Sequence, residues 1–375
     1  MLHAMLNRAT MRVADTTDVS GTVTADEVNL DRFHNRISKV CAFVAATLLW
    51  GAASAPAQTS YTVTDLGTLG GSFSVASGIN NGGQVVGFSP LSDQAPSHAF
   101  LYSGGQMLDL GTLGGSESFA SGINNRGQIV GGFSVSSVAT HAFLYSGGQM
   151  RDLGTLGGSF SQATAINNPG QIVGSSVNVG NPHAFLYSGG HMFDLGTLGG
   201  SESTAHGINN RGQIVGESLT SGDAVTHAFL YSGGQMRDLG TLGGSFSVAN
   251  GINNGGQVVG QSSLSGGTQA FPHAFLYSGG QMRDLGTLGG SYSQAFAIND
   301  PGQIVGLSSL VIGPKKPSHA FLYSGGQMQD LNNLLPSNSG WIVTQAVSIN
   351  DAGQIACSGS NGQATHALLL TPVSQ

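Results

Sequence analysis

The sequence predicts an all-β fold, a seven-bladed β-propeller with four-stranded blades of about 44 residues. Three short motifs each recur seven times, and successive Asp-Leu copies lie 42 to 46 residues apart. The two ends of the repeated region also carry complementary parts of one unit. Together these observations favour a closed ring of repeats.

The three motifs are His-Ala, Asp-Leu, and Ile-Asn followed by Gly-Gln. The histidines of the first motif are His98, His141, His183, His227, His273, His319 and His366. The aspartates of the second are Asp65, Asp109, Asp152, Asp194, Asp238, Asp284 and Asp330. The asparagines of the third are Asn80, Asn124, Asn167, Asn209, Asn253, Asn299 and Asn350.

One complete unit, residues 141–182, shows how the motifs map onto strands. HAFLY and QMRDL are β-rich runs joined by the glycine turn SGG, which predicts a hairpin. ATAIN and QIVGSS flank Asn168-Pro169-Gly170, and proline followed by glycine predicts a type II turn. Each unit therefore has four short strands and no segment typical of a helix.

The two ends of the repeated region predict how the ring closes. The first copy begins at Tyr61 with a second hairpin strand that lacks its HAFLY partner. The last copy ends after His366 with a first strand that has no successor. Pairing these strands would leave no open sheet edge. A solenoid or β-helix is the alternative, but it would gain nothing from this complementarity.

The strings HAFLYSGG, DLGTLGG and INN-x-GQIVG resemble the HAF repeat family of exported bacterial proteins. The resemblance covers about residues 61–372, and the segment from Asp330 through Trp341 to HALLLTP looks like that family's terminal copy. The resemblance implies export and repeated β structure, and it assigns no biochemical role.

Residues 1–57 are predicted to be a leader that precedes a propeller at 58–375. The apolar run 40–53 follows three basic residues and precedes a small-x-small site, an order typical of a secretory signal peptide. We expect cleavage after Ala57. The run is shorter than the roughly 20 residues of a membrane span, and a retained anchor is the alternative. We therefore expect a secreted protein, extracellular or periplasmic, whose mature chain is not inserted in a membrane.

The balance of charges excludes a nucleic-acid partner. The formal net charge is −7, and the few cations of the repeats are spread along the chain without forming a basic stripe. Of the two cysteines, Cys41 lies in the predicted leader, and Cys357 is expected to be a small buried residue. No zinc spacing is present. We expect no cofactor and a monomeric protein.

The seven histidines and seven aspartates are the sharpest chemical feature of the repeats. In a ring they would form two circles, and a circle of carboxylates in a central channel could hold a cation. The structural alternative is that each aspartate accepts backbone N–H bonds in the following turn and each histidine bonds within its own blade. A role repeated in every copy favours the structural alternative.

Catalytic arrangements have weaker support in the sequence. Histidine, aspartate and serine are all frequent, so a Ser-His-Asp set means nothing without geometry. Glu117 and Glu202 occupy the same position two copies apart. They could face each other across a channel as a glycosidase pair does, but solvation at the surface is the preferred interpretation. We therefore predict no catalytic residue.

Differences between the copies are concentrated before each His-Ala motif. These segments are residues 88–97, 132–140, 175–182, 217–226, 261–272, 307–318 and 357–365. Loops on a rigid scaffold often carry specificity, and the longest contain Phe271, Lys315 and Lys316. We predict that these three residues contribute to a contact surface, although drift in exposed loops also explains the variation.

The last copy holds a five-residue insertion that contains Trp341. An exposed tryptophan could stack on a sugar or a partner, so Trp341 is a further candidate binding residue. Closing the seam of the ring is the alternative role, and we prefer it.

The sequence therefore predicts a secreted, noncatalytic propeller that uses variable loops on one rim to bind an unidentified protein or glycan. An extracellular hydrolase or lyase with a site in the channel is the first alternative. It would need two acids of raised pKa close together in an apolar channel. A structural envelope or matrix protein is the second alternative.

Overall fold

The computed structural model describes residues 60–136, 139–178, 180–266, 271–311 and 317–373. These residues form seven four-stranded antiparallel sheets, so the predicted seven-bladed β-propeller is confirmed. The helical elements of the described residues are two short 3₁₀ turns, Ser221–Asp223 and Leu331–Leu334. The predicted leader and its cleavage after Ala57 lie outside the described residues and stay predictions.

In each blade the four strands are ordered outwards from a central channel, with the first strand innermost. The first strands are β2 (Val75–Ile79), β6 (Ser118–Ile123), β10 (Ser161–Ile166), β14 (Gly199–Ile208), β18 (Gly243–Ile252), β22 (Ser293–Ile298) and β26 (Ile342–Ile349). The second strands are β3 (Val85–Pro90), β7 (Ile129–Ser136), β11 (Ile172–Val177), β15 (Ile214–Thr220), β19 (Val258–Leu264), β23 (Ile304–Ser309) and β27 (Ile355–Ser360). The third strands are β4 (Ser97–Ser103), β8 (Ala139–Ser146), β12 (Pro182–Ser188), β16 (Thr226–Ser232), β20 (His273–Ser278), β24 (Ser318–Ser324) and β28 (Thr365–Pro372). The outer strands are β5 (Gln106–Asp109), β9 (Gln149–Asp152), β13 (His191–Asp194), β17 (Gln235–Asp238), β21 (Gln281–Asp284), β25 (Gln327–Asp330) and, from the other end of the chain, β1 (Tyr61–Asp65).

The ring is closed by pairing between the first and last strands. Strand β1 is antiparallel to β28, with Tyr61 opposite Pro372 and Asp65 opposite Leu368. The seventh blade therefore takes three strands from the end of the repeated region and one from its beginning, as the sequence predicts. Closure satisfies backbone groups that an open blade would expose.

The hydrophobic core consists of seven layers, each between two neighbouring blades. One layer joins Val130 and Ala142 of the second blade to Ile172 and Phe185 of the third. The phenylalanine of the HAF string is fully buried in six blades, and Leu368 replaces it in the seventh. Because each blade buries apolar side chains on both faces, no blade can bury its core without its neighbours.

The inserted segment of the last copy covers the layer in which the chain ends meet. The turn Leu331–Leu334 buries Leu331 and Leu334 in the same cluster as Tyr61 and Leu368. Trp341 packs against this cluster, with its ring centroid 5.6 Å from that of His366. The insertion therefore supplies apolar contacts at the closure.

The turn after each first strand differs from the predicted type. The N–H of Gly170 donates to the carbonyl of Asn167 at 3.0 Å, so the turn begins one residue earlier than expected. Pro169 is then the third residue and Gly170 the fourth, and the type II assignment is wrong. The glycine does adopt a positive φ, +93° at Gly170, which favours glycine in this place.

Candidate functional site

The antiparallel meander divides the connections between two rims. The turns from first to second strands and from third to outer strands lie on one rim, which we call the turn rim. The segments from second to third strands and the links between blades lie on the opposite rim, which we call the loop rim. All the variable segments therefore come together on the loop rim.

Each repeated histidine contacts the repeated aspartate of its own blade near the loop rim. The Nδ1 atoms lie 2.6–3.0 Å from the carboxylates. The pairs are His98–Asp109, His141–Asp152, His183–Asp194, His227–Asp238, His273–Asp284, His319–Asp330 and His366–Asp65. The seventh pair joins the two ends of the chain. The arrangement is one cross-strand pair per blade, on the outer half of the blade, and neither circle lines the channel.

Each aspartate also accepts a backbone hydrogen bond from the residue two positions later, as Gly111 N donates to Asp109 at 2.8 Å. Burial alone would raise the pKa of Asp194, but hydrogen bonds from Gly196, His183 and Asn178 outweigh it and leave the pKa below 3.8. For Asp284, burial is again opposed by bonds from His273 and Gly286, and the pKa is lowered. These two carboxylates therefore stabilise the links between their blades and the next in the charged form.

Beside six of the seven His–Asp pairs, a buried serine of the next blade hydrogen-bonds to the backbone. Ser118 Oγ donates to Gly111 O at 2.6 Å and accepts from Ala99 N at 2.8 Å. Ser118 is fully buried, so its hydroxyl joins the second blade to the first and is not available as a nucleophile. The same two bonds recur at Ser74, Ser161, Ser203, Ser247 and Ser293.

The central channel encloses a cavity of about 550 Å³. Every first strand has a β-bulge two residues before its last residue, and the extra residue borders the channel. These seven residues are Ser77, Ser121, Thr164, His206, Asn250, Phe296 and Val347. They differ between blades, whereas the next residue is always small because neighbouring first strands approach closely there. The channel wall is therefore the second place where the copies diverge.

His206 is the one ionisable residue among the described residues that line this channel. Its Nε2 is buried without a hydrogen-bond partner and lies 3.5 Å from Glu217 Oε1. At the equivalent positions, Thr164 and Asn250 donate to carbonyls of the next blade. The fourth blade alone thus places an imidazole and a carboxylate together near the channel.

At the turn rim the channel opens into a second cavity of about 380 Å³, which we call the Asn mouth. A circle of isoleucines borders both cavities, namely Ile79, Ile123, Ile166, Ile208, Ile252, Ile298 and Ile349. Beyond it lie the seven motif asparagines, 3–4 % exposed. The residues that follow them form an outer circle of Asn81, Asn125, Asn168, Asn210, Asn254, Asp300 and Asp351.

Two closed rings of hydrogen bonds run around the Asn mouth. In the inner ring, the amide of each motif asparagine donates to the backbone carbonyl of the corresponding asparagine in the next blade. In the outer ring, the backbone N–H of each residue donates to the side-chain oxygen of its counterpart in the next blade. Both rings pass from Asn350 or Asp351 back to the first blade. Spacing alone had suggested only a turn at these positions.

Two of the four predicted binding residues lie within the described part of the chain. Phe271 is 43 % exposed on the loop rim, whereas Lys315 and Lys316 lie outside the described residues. Trp341 is half-buried against the closing blade, a position that favours the seam role over an exposed stacking platform.

The other residues singled out in the sequence are not brought together. Neither Glu117 nor Glu202 lines the channel. Cys357 is fully buried, and burial raises the pKa of its thiol. In the described part of the chain, no group of three or more His, Cys, Asp or Glu side chains is arranged to hold a metal ion.

The channel position was not predicted from the sequence. The bulge residue stands three places before each motif asparagine and takes six different identities in seven copies. That variation was visible in the alignment of the repeats. Its meaning was hidden, because strand alternation alone does not place an unpaired bulge residue at the channel.

Comparison with known proteins supports the fold. No protein-family model and no curated protein matches this chain significantly, so the HAF resemblance stays a prediction. Among solved structures, the β-propeller domain of the trilobed protease from Pyrococcus furiosus, described as having an open velcro topology, aligns with a TM-score of 0.52 at 8 % identity, over 81 % of this chain and 98 % of that one. TolB from Acinetobacter baumannii aligns with a TM-score of 0.41 at 15 % identity, over 78 % and 80 % of the two chains. At 8 % identity, the first of these two similarities shows a β-propeller fold and nothing about activity.

None of the described residues belongs to a helix that is long and apolar enough to cross a bilayer.

Proposed function

We propose that the protein is a secreted, noncatalytic propeller that binds a protein or glycan partner through the variable loops of its loop rim. The observation that carries this proposal is that the segments that vary in length all meet on one rim of a nearly invariant scaffold. Leu91, Phe271 and Val311 stand on that rim with 39–45 % exposure. Variable loops on a rigid scaffold often carry specificity, and Phe271 and Val311 stand on the neighbouring fifth and sixth blades.

The chemistry of the channel supports binding over hydrolysis. Among the described residues, its wall is built mainly from glycine, alanine, serine and isoleucine, and it contains no carboxylate. A channel-centred glycosidase would need two acids in one pocket. The repeated aspartates are instead held by histidines and backbone N–H groups away from the channel.

The enzyme alternative rests on His206, the one ionisable residue among the described residues that line the channel, whose Nε2 lies 3.5 Å from Glu217 Oε1. An imidazole oriented by a carboxylate can act as a general base. Hydrolysis of ester or glycoside substrates that is lost in His206→Ala, with the melting temperature retained, would favour this function over binding.

Loop exchange tests the binding proposal. The loops 265–272 and 310–317 would each be replaced by the four-residue loop 178–181 of the third blade, which connects equivalent strands. We expect the wild type to bind a component of a glycan array or of cell-surface extracts, and the exchanged protein to bind at least about tenfold more weakly. The melting temperature of the exchanged protein should change little, because the third blade already carries the short loop between equivalent strands.

His191→Gln, on the turn rim, introduces the residue that stands as Gln149 at the equivalent position of the second blade; it serves as the matched control and should leave this binding unchanged. Equal binding by the loop-exchanged protein would overturn the proposal. Self-assembly of the wild type into polymers, with no binding partner found, would favour the structural envelope alternative.

A further inference from the structure

The Asn mouth has the size and the polar lining of a small-molecule site. Its volume of about 380 Å³ falls in the range of roughly 300–1,000 Å³ typical of ligand pockets. Beyond the isoleucine circle, every residue lining it is asparagine or aspartate. It lies on the opposite rim from the variable loops, so this inference does not depend on the proposed function.

The outer hydrogen-bond ring determines which side-chain atoms of the outer circle remain free to bind a ligand. Each outer asparagine accepts a backbone N–H at Oδ1, as Asn168 does from Asn125 N at 2.9 Å. This bond orients the amide, so that Nδ2 is the remaining donor. Nδ2 of Asn81 and of Asn254 donates to an aspartate.

In the second, third and fourth blades, the amide donors of the outer circle have no acceptor among the described residues. These donors are Nδ2 of Asn125, Asn168 and Asn210, whose Oδ1 atoms are all engaged by the preceding blade. This arc of the mouth therefore presents hydrogen-bond donors to a ligand.

The opposite arc carries two negative charges. Asp300 accepts at Oδ1 and Oδ2 from Asn254, and Asp351 accepts from Asp300 N and from Asn81. Each oxygen retains a free lone pair. Among the described residues, neither carboxylate has a cationic partner within 4.0 Å.

The arrangement around the ring makes the mouth dipolar. In a ring of seven blades, the third blade faces the junction between the sixth and seventh, where Asp300 and Asp351 lie. The residue after the outer asparagine is Arg126 in the second blade and Arg211 in the fourth, and both are exposed. Amide donors and arginines therefore flank one side of the mouth, and two carboxylates line the other.

We propose that the Asn mouth binds the free ends of a short zwitterionic peptide. The ammonium group lies against Asp300 and Asp351, and the carboxylate accepts hydrogen bonds from Asn125, Asn168 and Asn210. Charge-assisted hydrogen bonds of both kinds are stronger than neutral ones. A lone metal cation is disfavoured, because the free amide N–H groups point positive dipoles towards the same cavity.

The other blades supply conservative variants for a test. Asp300→Asn with Asp351→Asn places at both positions the residue that five blades already carry. Arg126→Ala with Arg211→Ala uses the residue that stands as Ala352 in the seventh blade. Asp93→Asn with Asp223→Asn removes the same charge from the loop rim and is the matched control.

Isothermal titration of the purified protein with triglycine at pH 7 gives the readout. We expect the wild type to bind triglycine at one site. N-acetyl-triglycine should bind to the wild type at least about tenfold more weakly, and triglycine should bind to the Asp300/Asp351 variant at least about tenfold more weakly. Triglycine amide should bind to the wild type about threefold to tenfold more weakly than triglycine does. Triglycine should bind to the Arg126/Arg211 variant more weakly by about the same factor. The control variant should bind as the wild type does.

The proposal is overturned if triglycine does not bind at millimolar concentration, or if the capped peptides bind equally well. It is also overturned if the Asp300/Asp351 variant binds triglycine normally while retaining its melting temperature. A titration in which calcium chloride binds and triglycine does not would identify a metal site instead.

Discussion

At the scale of single residues, the motif asparagines connect the blades around the channel. Asn209, 4 % exposed, donates to Gln213 and to the carbonyl of Asn253 in the next blade. Its Oδ1 also accepts from the backbone of Arg211 and Gln213. No other side chain of this size offers two donors and a double acceptor in that geometry, which explains why all seven copies keep it.

The His–Asp pairs are expected to make the free energy of unfolding depend on pH. Asp194 and Asp284 have folded pKa values below the ordinary 3.8, so the unfolded chain binds their protons more readily. The stability they contribute is present above the ordinary pKa and is lost as the pH falls through the folded one. The free energy of unfolding should therefore decline in acid.

We predict that Asp194→Asn with Asp284→Asn makes this decline shallower, because asparagine keeps an acceptor for Gly196 and Gly286 but does not titrate. Urea unfolding between about pH 5 and about pH 2 would measure the slope. Asp93→Asn with Asp223→Asn is the control of equal charge. A slope that the two double variants change equally would contradict the prediction.

At the scale of strands, the second strand lies close to the bulged first strand. A Cβ on Gly131 would stand 1.9 Å from Phe119 O. The seventh blade holds Cys357 at the equivalent place, where it faces Leu368 in place of phenylalanine and an additional bulge interrupts the first strand. These changes are coupled, since a smaller neighbour and a displaced strand make room for the sulfur.

We predict that Gly131→Ala lowers the free energy of unfolding by about 3 kcal/mol or more, because the added methyl group must displace backbone. Gly132→Ala should cost less than about 1 kcal/mol. The nearest atom to its Cβ is the Cγ2 of Thr140 at 3.3 Å, and other blades carry larger residues there. Chemical denaturation of both variants gives the comparison, and similar losses would show that the strand spacing is not limiting.

At the scale of the whole molecule, stability depends on the blade assembled from both ends. Tyr61 is 1 % exposed between the inserted turn and β28. Its hydroxyl is buried without a hydrogen-bond partner, and burial raises its pKa to about 12. The ring and the methylene of Tyr61 therefore stabilise the closing blade through apolar contacts, whereas the buried, unpaired hydroxyl destabilises the folded state.

We predict that Tyr61→Ala lowers the free energy of unfolding by about 3–5 kcal/mol through the cavity it leaves. Tyr61→Phe should be neutral or should stabilise the fold by about 1 kcal/mol, because it removes an unsatisfied polar atom. Thermal and urea unfolding would separate the two. A destabilising Tyr61→Phe would mean that the hydroxyl has a partner in solution.

The sequence by itself determined the architecture: the number of blades, the four strands in each and the pairing of β1 with β28. Each of these follows from local periodicity and from the phase of the two ends, which are properties of the chain read in order. The sequence also indicated that each aspartate accepts a backbone N–H of the following turn, as Asp109 does from Gly111, but it did not identify the histidine of the same blade as the other partner.

Only the tertiary structure decided that those residues pair with each other, that the bulge residues border the channel, and that the Asn-Asn turns form two closed rings. These features join residues that lie 11 to 301 positions apart. Contacts of that kind depend on strand register and on the sevenfold closure. The dipolar character of the Asn mouth likewise arises because closure sets the third blade opposite Asp300 and Asp351, which are otherwise ordinary turn residues.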